Sequence, residues 1–144
     1  MKDLFVVDAS STIKLLIEEP GTEYARLFFG RLAGSDPPLF YAPDLLYIEC
    51  ANIVRKYVTR HGFEPRRAHA ALTTLKDLAL QAVPTRDLFQ EALSLSLRYQ
   101  ISAYDASYLA LAEGLRCPLI TEDANLSRKV RPFPVALKRL EEVA

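Results

Sequence analysis

Leu4-Phe5-Val6-Val7-Asp8-Ala9-Ser10-Ser11-Thr12, close to the amino terminus, decides the fold. Four apolar residues run without alternation, the pattern of a strand buried on both faces in a parallel sheet. An acid stops the run, and small hydroxyl residues suited to a helix start follow it. Ser10, Ser11 and Thr12 offer caps for a helix over Ile13–Ile17, which Pro20-Gly21 ends. A strand fed directly into a helix is the opening of a βαβ unit.

Outward from that stretch the same alternation continues. Thr22 caps a second helix to about Leu32, and Leu39–Ala42 reads as a short strand. Pro43 opens a long helix ending near His61-Gly62, and Pro65 starts another that lasts to about Leu80. Gln81–Pro84 is a third strand, after which Thr85 caps a helix ending near Tyr99. Ser102 begins a helix through about Leu115, and Pro118–Thr121 is a fourth strand. Asp123 or Ala124 starts a brief helix, and Pro134–Leu137 is a fifth strand before a charged tail. Strands separated by helices predict an α/β fold, a parallel sheet with helices on both faces. Without repeats, low-complexity tracts or a long linker, residues 1–144 are expected to form a single domain.

Composition narrows the function classes. Half of the residues are hydrophobic and 25% are charged, with 18 basic side chains balanced by 18 acidic ones. A neutral total gives no general attraction to nucleic acid, so any such case rests on where the charges sit. Cys50 and Cys117 lie far apart in no CxxC or His/Cys cluster, which excludes the usual zinc patterns and a disulfide framework. They read as buried free thiols of a reducing compartment. The amino-terminal apolar run is too short for a signal-peptide core, and no run approaches the roughly 18 residues of a membrane span. No membrane contact and a cytoplasmic location are therefore expected.

In parallel α/β sheets ligands bind beyond the carboxyl ends of the strands. Asp8 ends the first strand, and Asp123 follows Thr121 at the end of the fourth. Asp105 lies in the first turn of the helix begun near Ser102, and Glu49 about one turn inside the helix after the second strand. All four acids belong to one rim. Local explanations exist for each: Ser102-Ala103-Tyr104-Asp105 reads as a capping box with Asp for Glu, Asp123 as an N-cap, and Glu49 as an exposed helix residue. Asp8, however, ends a buried strand and must be solvated, capped or bound. Glu49 borders an apolar arc and has Asn52 and Ile53, not a base, at i+3 and i+4. Crowded carboxylates raise one another's pKa, and a hard divalent cation such as Mg²⁺ or Mn²⁺ relieves that cost through oxygen ligands. The two histidines, His61 and His69, sit elsewhere in a basic stretch.

Val6-Val7-Asp8-Ala9-Ser10, Glu49-Cys50-Ala51-Asn52, Ser102-Ala103-Tyr104-Asp105-Ala106 and Thr121-Glu122-Asp123, in that order, resemble the PIN-domain family. Within it they are most similar to VapC-type ribonuclease toxins. The resemblance implies a three-layer α/β/α sandwich whose five-stranded parallel sheet has the order 3-2-1-4-5, with the first and fourth strands adjacent. It implies metal ligation and catalysis by Asp8, Glu49, Asp105 and Asp123, supported by Ser10, Asn52 and Thr121. The cofactor it implies is Mg²⁺, with Mn²⁺ able to substitute, and the activity is endonucleolytic hydrolysis of RNA by metal-activated water. It also implies a VapB-type antitoxin as partner. Apolar surface for that partner and for a homodimer is expected around Leu45–Tyr57 and Leu72–Leu80.

The stretch from Arg55 to His69 carries Arg55, Lys56, Arg60, Arg66 and Arg67 against one acid, Glu64. It reads either as a solvated helix end or as a phosphate-contacting flank in which Arg55, Lys56 and Arg60 bind RNA. Competing readings fare less well. A haloacid-dehalogenase-type phosphatase needs a second Asp where Ser10 stands, and a receiver domain needs paired acids where Asp8 is followed by Ala9. A PIN-like module that binds RNA or a partner without cutting has no need of all four acids. A housekeeping ribonuclease without an antitoxin is the remaining alternative.

Overall fold

The structure, a computed structural model, describes residues 2–144. Strand β1 (Leu4–Val7) delivers the chain into α1 (Ala9–Leu16), and α2 (Thr22–Gly30) follows. Next come β2 (Leu39–Pro43), α3 (Leu45–His61), α4 (Pro65–Asp77) and β3 (Leu80–Val83). Then α5 (Phe89–Tyr99) and α6 (Ala103–Leu115) form a helical pair before β4 (Leu119–Ile120). The chain closes with α7 (Ala124–Lys129), β5 (Leu137–Lys138) and α8 (Leu140–Val143).

The strands form one parallel sheet in the order β3-β2-β1-β4-β5, as the resemblance implies. Val6 stands beside Tyr41 on one side and Leu119 on the other, so β1 is the centre of the sheet. Its continuous apolar run fits that place: Val6 and Val7, with Leu119 and Ile120 of β4, have no exposed surface. Helix α6 packs on β1, β2 and β4 and carries α5 on its outer side, while α1 packs against α2, α3 and α4. Phe5, Phe28, Phe29 and Phe40 join β1, α2 and β2 through edge-on and tilted ring contacts with centroids 4.8 to 6.0 Å apart. Those geometries suit the ring quadrupoles.

Several boundaries differ from the sequence reading, each for a local reason. Asp8 itself caps α1, because its Oδ1 accepts the Ser11 N–H at 2.9 Å. Ser11 is turned inward, its hydroxyl bonded to the carbonyls of Asp8 and Ile120. Pro43 is the last residue of β2 rather than the first of a helix, and Asp44 precedes α3. Helix α4 ends at Asp77, which frees Leu80 to pair with Phe40 as the start of β3. Thr85 opens a short 3₁₀ turn instead of α5, its N–H given to Asp44 Oδ1 at 3.1 Å. The fifth strand is Leu137–Lys138, later than Pro134, and the charged tail folds into α8. Gly62 ends α3 in the left-handed conformation, at φ +65°.

The expected apolar surfaces are also corrected. On α3 and α4, Leu46, Val54 and Leu75 are buried, and only Ile48 of those helices is a large exposed apolar residue. The exposed apolar stripe is on α5, where Phe89, Leu93 and Leu97 recur at every fourth position, with Tyr104 close by. Among the described residues no helix is long and apolar enough to cross a membrane.

Candidate active site

The carboxyl ends of β1 and β4, which are hydrogen-bonded neighbours, bring Asp8 and the Thr121–Asp123 segment together. Asp8 is only 7% exposed and has no ion-pair partner among the described residues. Its Oδ1 accepts from Ser10 Oγ at 2.8 Å as well as from Ser11 N–H. Burial pushes its pKa from 3.8 up to about 6, against the hydrogen bonds from Thr121, Ser11 and Ser10 that pull it down. Desolvation wins, yet the group is still mainly ionised at neutral pH.

Ser10 and Thr121 connect Asp8 to Asp123. Their hydroxyls lie 3.2 Å apart, Ser10 Oγ accepts the Glu122 N–H, and Thr121 Oγ1 accepts the Asp123 N–H at 3.1 Å. Asp123 caps α7 through Oδ1 and the Leu126 N–H, as its sequence position suggested. Two of the candidate acids are thus also helix caps.

Helices α3 and α6 supply the other two acids. Ser102 caps α6 by accepting the Asp105 N–H, which places Asp105 in the first turn. The Asp105 pKa is raised first by burial and then by the charge of Asp123, while Ser102 and Lys129 oppose the shift. Glu49 is raised by burial and by the charge of Asp105, and is held down by a hydrogen bond from Tyr108. Tyr108 is buried on α6 and donates its hydroxyl to Glu49 Oε1 at 2.5 Å. Burial and the charge of Glu49, with a further contribution from Asp8, hold that phenol well above its ordinary pKa. Cys50, pushed up to about 12 by burial and by the charges of Glu49 and Asp8, is a neutral thiol packed behind them.

These couplings close a ring. Glu49 senses Asp105, Asp105 senses Asp123, Asp123 is joined to Asp8 through Thr121 and Ser10, and Asp8 and Glu49 both act on Tyr108 and Cys50. The ring is open rather than drawn tight: among the described residues no three His, Cys, Asp or Glu side chains stand close enough to hold a metal ion as placed. Like charges without a counterion repel, and Asp8, Glu49 and Asp123 each hold a protein donor instead. In kind the donors suit a hard divalent cation, being carboxylate oxygens without imidazole or thiolate.

Of the remaining sequence candidates, Asn52 is exposed, and its carboxamide accepts from Arg55 rather than facing the acids. Arg55, Lys56 and Arg60 follow Glu49 along α3, with Arg60 about 16 Å from it along the helix axis. Sequence reasoning missed Tyr108 and Lys129. Tyr108 had a readable signal, standing three residues after Asp105 and so on the same helix face.

Comparison with known proteins agrees with this architecture. Residues 5–132 match the family model described as PIN domain. A VapC ribonuclease of Mycobacterium bovis is 34% identical over 124 residues, covering 86% of this chain and 89% of the relative. A crystal structure of a Pyrobaculum aerophilum protein superposes with a TM-score of 0.69 at 21% identity, covering 99% of this chain and 94% of the other. A chain from a toxin–antitoxin complex of Klebsiella pneumoniae gives a TM-score of 0.58 at 22% identity, covering 92% and 93%. At those identities the two structures speak for the fold.

Proposed function

This chain belongs to the PIN-domain family, within its VapC group, and from that premise we propose that it is a Mg²⁺-dependent endoribonuclease serving as the toxin of a toxin–antitoxin pair. The observation that carries the reading is the ring of four acids at the mouth of the sheet, none of them in a salt bridge among the described residues. Asp8, Glu49, Asp105 and Asp123 would hold the cation, with Mn²⁺ able to replace Mg²⁺. A bound divalent cation supplies positive charge for the scissile phosphate and makes water more acidic.

The chain's own residues do the rest. Tyr108 occupies one oxygen of Glu49, and the other has no hydrogen-bond donor among the described residues. Ser10 and Ser11 fix the Asp8 carboxylate by bonding a single oxygen, and Thr121 ties that arrangement to the Asp123 backbone. Burial keeps Asp8 poorly hydrated, so its charge acts strongly at short range. Neither histidine belongs to the ring, which leaves no imidazole base within it. Hydrolysis adds a water oxygen to phosphorus and expels the neighbouring ribose oxygen.

The toxin reading draws on the named relatives and on the hazard that an unrestrained ribonuclease poses in the cytoplasm. A VapB-type antitoxin would restrain it. The exposed apolar stripe of α5, Phe89, Leu93 and Leu97, would pack against a second copy of the chain in a homodimer. Purified chain incubated with pooled cellular RNA should cut it with Mg²⁺ and not after dialysis against EDTA, and mapping the ends gives the cleavage sequence. Full cutting after EDTA overturns the metal-dependent reading. Growth arrest on lone expression, relieved by co-expressing the neighbouring gene's product, tests the toxin role. A harmless active enzyme with no co-purifying partner would instead be a housekeeping ribonuclease.

A further inference from the structure

Beside the acid ring lies a cavity of about 220 Å³ that neither the family comparison nor the acids explain. Thr121, Ser127, Arg128, Arg131, Arg139 and Glu142 are among the residues that line it. Three guanidinium groups against one carboxylate make it basic, and they come from three places: the end of α7, the turn after it, and the residue before α8. Thr121 is shared with the ring, where its hydroxyl accepts the Asp123 N–H.

The three arginines are not equivalent. Arg139 is pinned, with Nε 3.7 Å from Glu122 and Nη1 3.2 Å from Glu141, so its charge is largely answered within the chain. Arg128 donates only to the neutral Asn125 carboxamide, at 3.2 Å. Arg131 has no side-chain partner among the described residues, and neither it nor Arg128 pairs with an acid there. Two unneutralised guanidinium forks beside a fixed third form an arrangement that recognises phosphate oxygens bidentately.

We propose that this cavity is a phosphate subsite, in which Arg128 and Arg131, positioned against Arg139, hold an RNA phosphate flanking the one that is cut. The inference rests on the ribonuclease reading for the identity of the strand, and it moves the main backbone contact from Arg55, Lys56 and Arg60 on α3 to the α7 side. Binding of a 2′-O-methyl oligoribonucleotide, which resists cutting, measured across a salt series tests it. Arg128→Ala with Arg131→Ala should weaken the complex roughly tenfold or more and flatten the slope of log K against log salt by roughly 0.7, as loss of one single-strand phosphate contact predicts. The comparison variant, with Arg55, Lys56 and Arg60 all replaced by Ala, should leave most of the slope in place. An unchanged slope in the α7 variant while the wild-type chain binds the oligonucleotide overturns the subsite and leaves the ribonuclease reading standing. Inorganic pyrophosphate titrated against Arg side-chain NMR signals separates the two claims. Shifts at Arg128 and Arg131 in a chain that binds no RNA would keep the subsite and remove the ribonuclease reading. No shift together with no RNA binding overturns the subsite, as does an α7 dependence seen only for an acidic peptide, which would make it a protein-docking site.

Discussion

Two tyrosine–carboxylate pairs involve α3, one near its start and one beyond its middle. Near its middle, Tyr57 donates its hydroxyl to Glu19, and Lys14 Nζ stands 3.2 Å from the other oxygen of the same carboxylate. Near its start, Glu49 receives Tyr108 from α6 at 2.5 Å, but no lysine or arginine pairs with it. The first carboxylate is neutralised by the chain and locks α1 to α3. The second is oriented by the chain and given no cation, with the charge of Asp105 acting on it. That difference is what marks Glu49 as the candidate site acid and Glu19 as the structural one.

The strongest way to break this contrast is to remove one charge from the ring. Asp8→Asn keeps the α1 cap, since Asn caps as well as Asp, but removes the charge from the centre of the ring. RNA cleavage should fall by roughly a thousandfold or more. Urea titration of the metal-free variant at pH 8 should show equal or greater stability than wild type. Cleavage near the wild-type rate would remove Asp8 from the site.

Acid titration sharpens the same point. The folded Asp8 pKa, about 6, lies above its ordinary 3.8, so between those values the folded chain binds more protons than the unfolded one. Stability of the metal-free protein should therefore be greatest below about pH 3.8 as far as this group is concerned, fall as pH rises from there to about 6, and level off above it, by at most about 3 kcal/mol in all. Glu49 and Asp105, both shifted upward, act in the same direction. Millimolar Mg²⁺ or Mn²⁺ should raise the melting temperature at pH 8 and do little at pH 4.5. A melting temperature indifferent to both pH and metal would show that the ring carries no strain for a cation to relieve.

On the other side of the contrast, Lys14→Ala strips the cation from Glu19 and leaves a half-buried acid with only Tyr57. A loss of about 1–3 kcal/mol in stability is expected, with cleavage per folded molecule unchanged. Reduced specific activity at full folding would mean that this pair also serves the site.

The smallest effect is expected from Tyr108→Phe, which keeps the ring and deletes one donor. It should cost about 1 kcal/mol of stability and raise the Mn²⁺ concentration needed for half-saturation, read by paramagnetic relaxation of water, by roughly fivefold. An unaltered Mn²⁺ affinity would make Tyr108 a packing residue only.

The sequence alone determined the strands, most helices and the order of the four acids, because these are written in neighbouring residues. A continuous apolar run reports burial on two faces, and an acid at a cap position reports itself through bonds three residues away, as Asp8 and Asp123 do. Strand ends drifted where two elements compete for the same residues, as at Leu80, whose place was settled by pairing with Phe40. What only the tertiary structure decided joins residues far apart in the chain. Ser10 meets Thr121 across 111 positions and Tyr108 meets Glu49 across 59, while Arg128, Arg131 and Arg139 gather from separate elements into one cavity. Hydrophobic periodicity says which face of an element is inward but not which other element lies opposite. Strand order supplies that, by setting β4 beside β1, and with it the side chains that hold the acids.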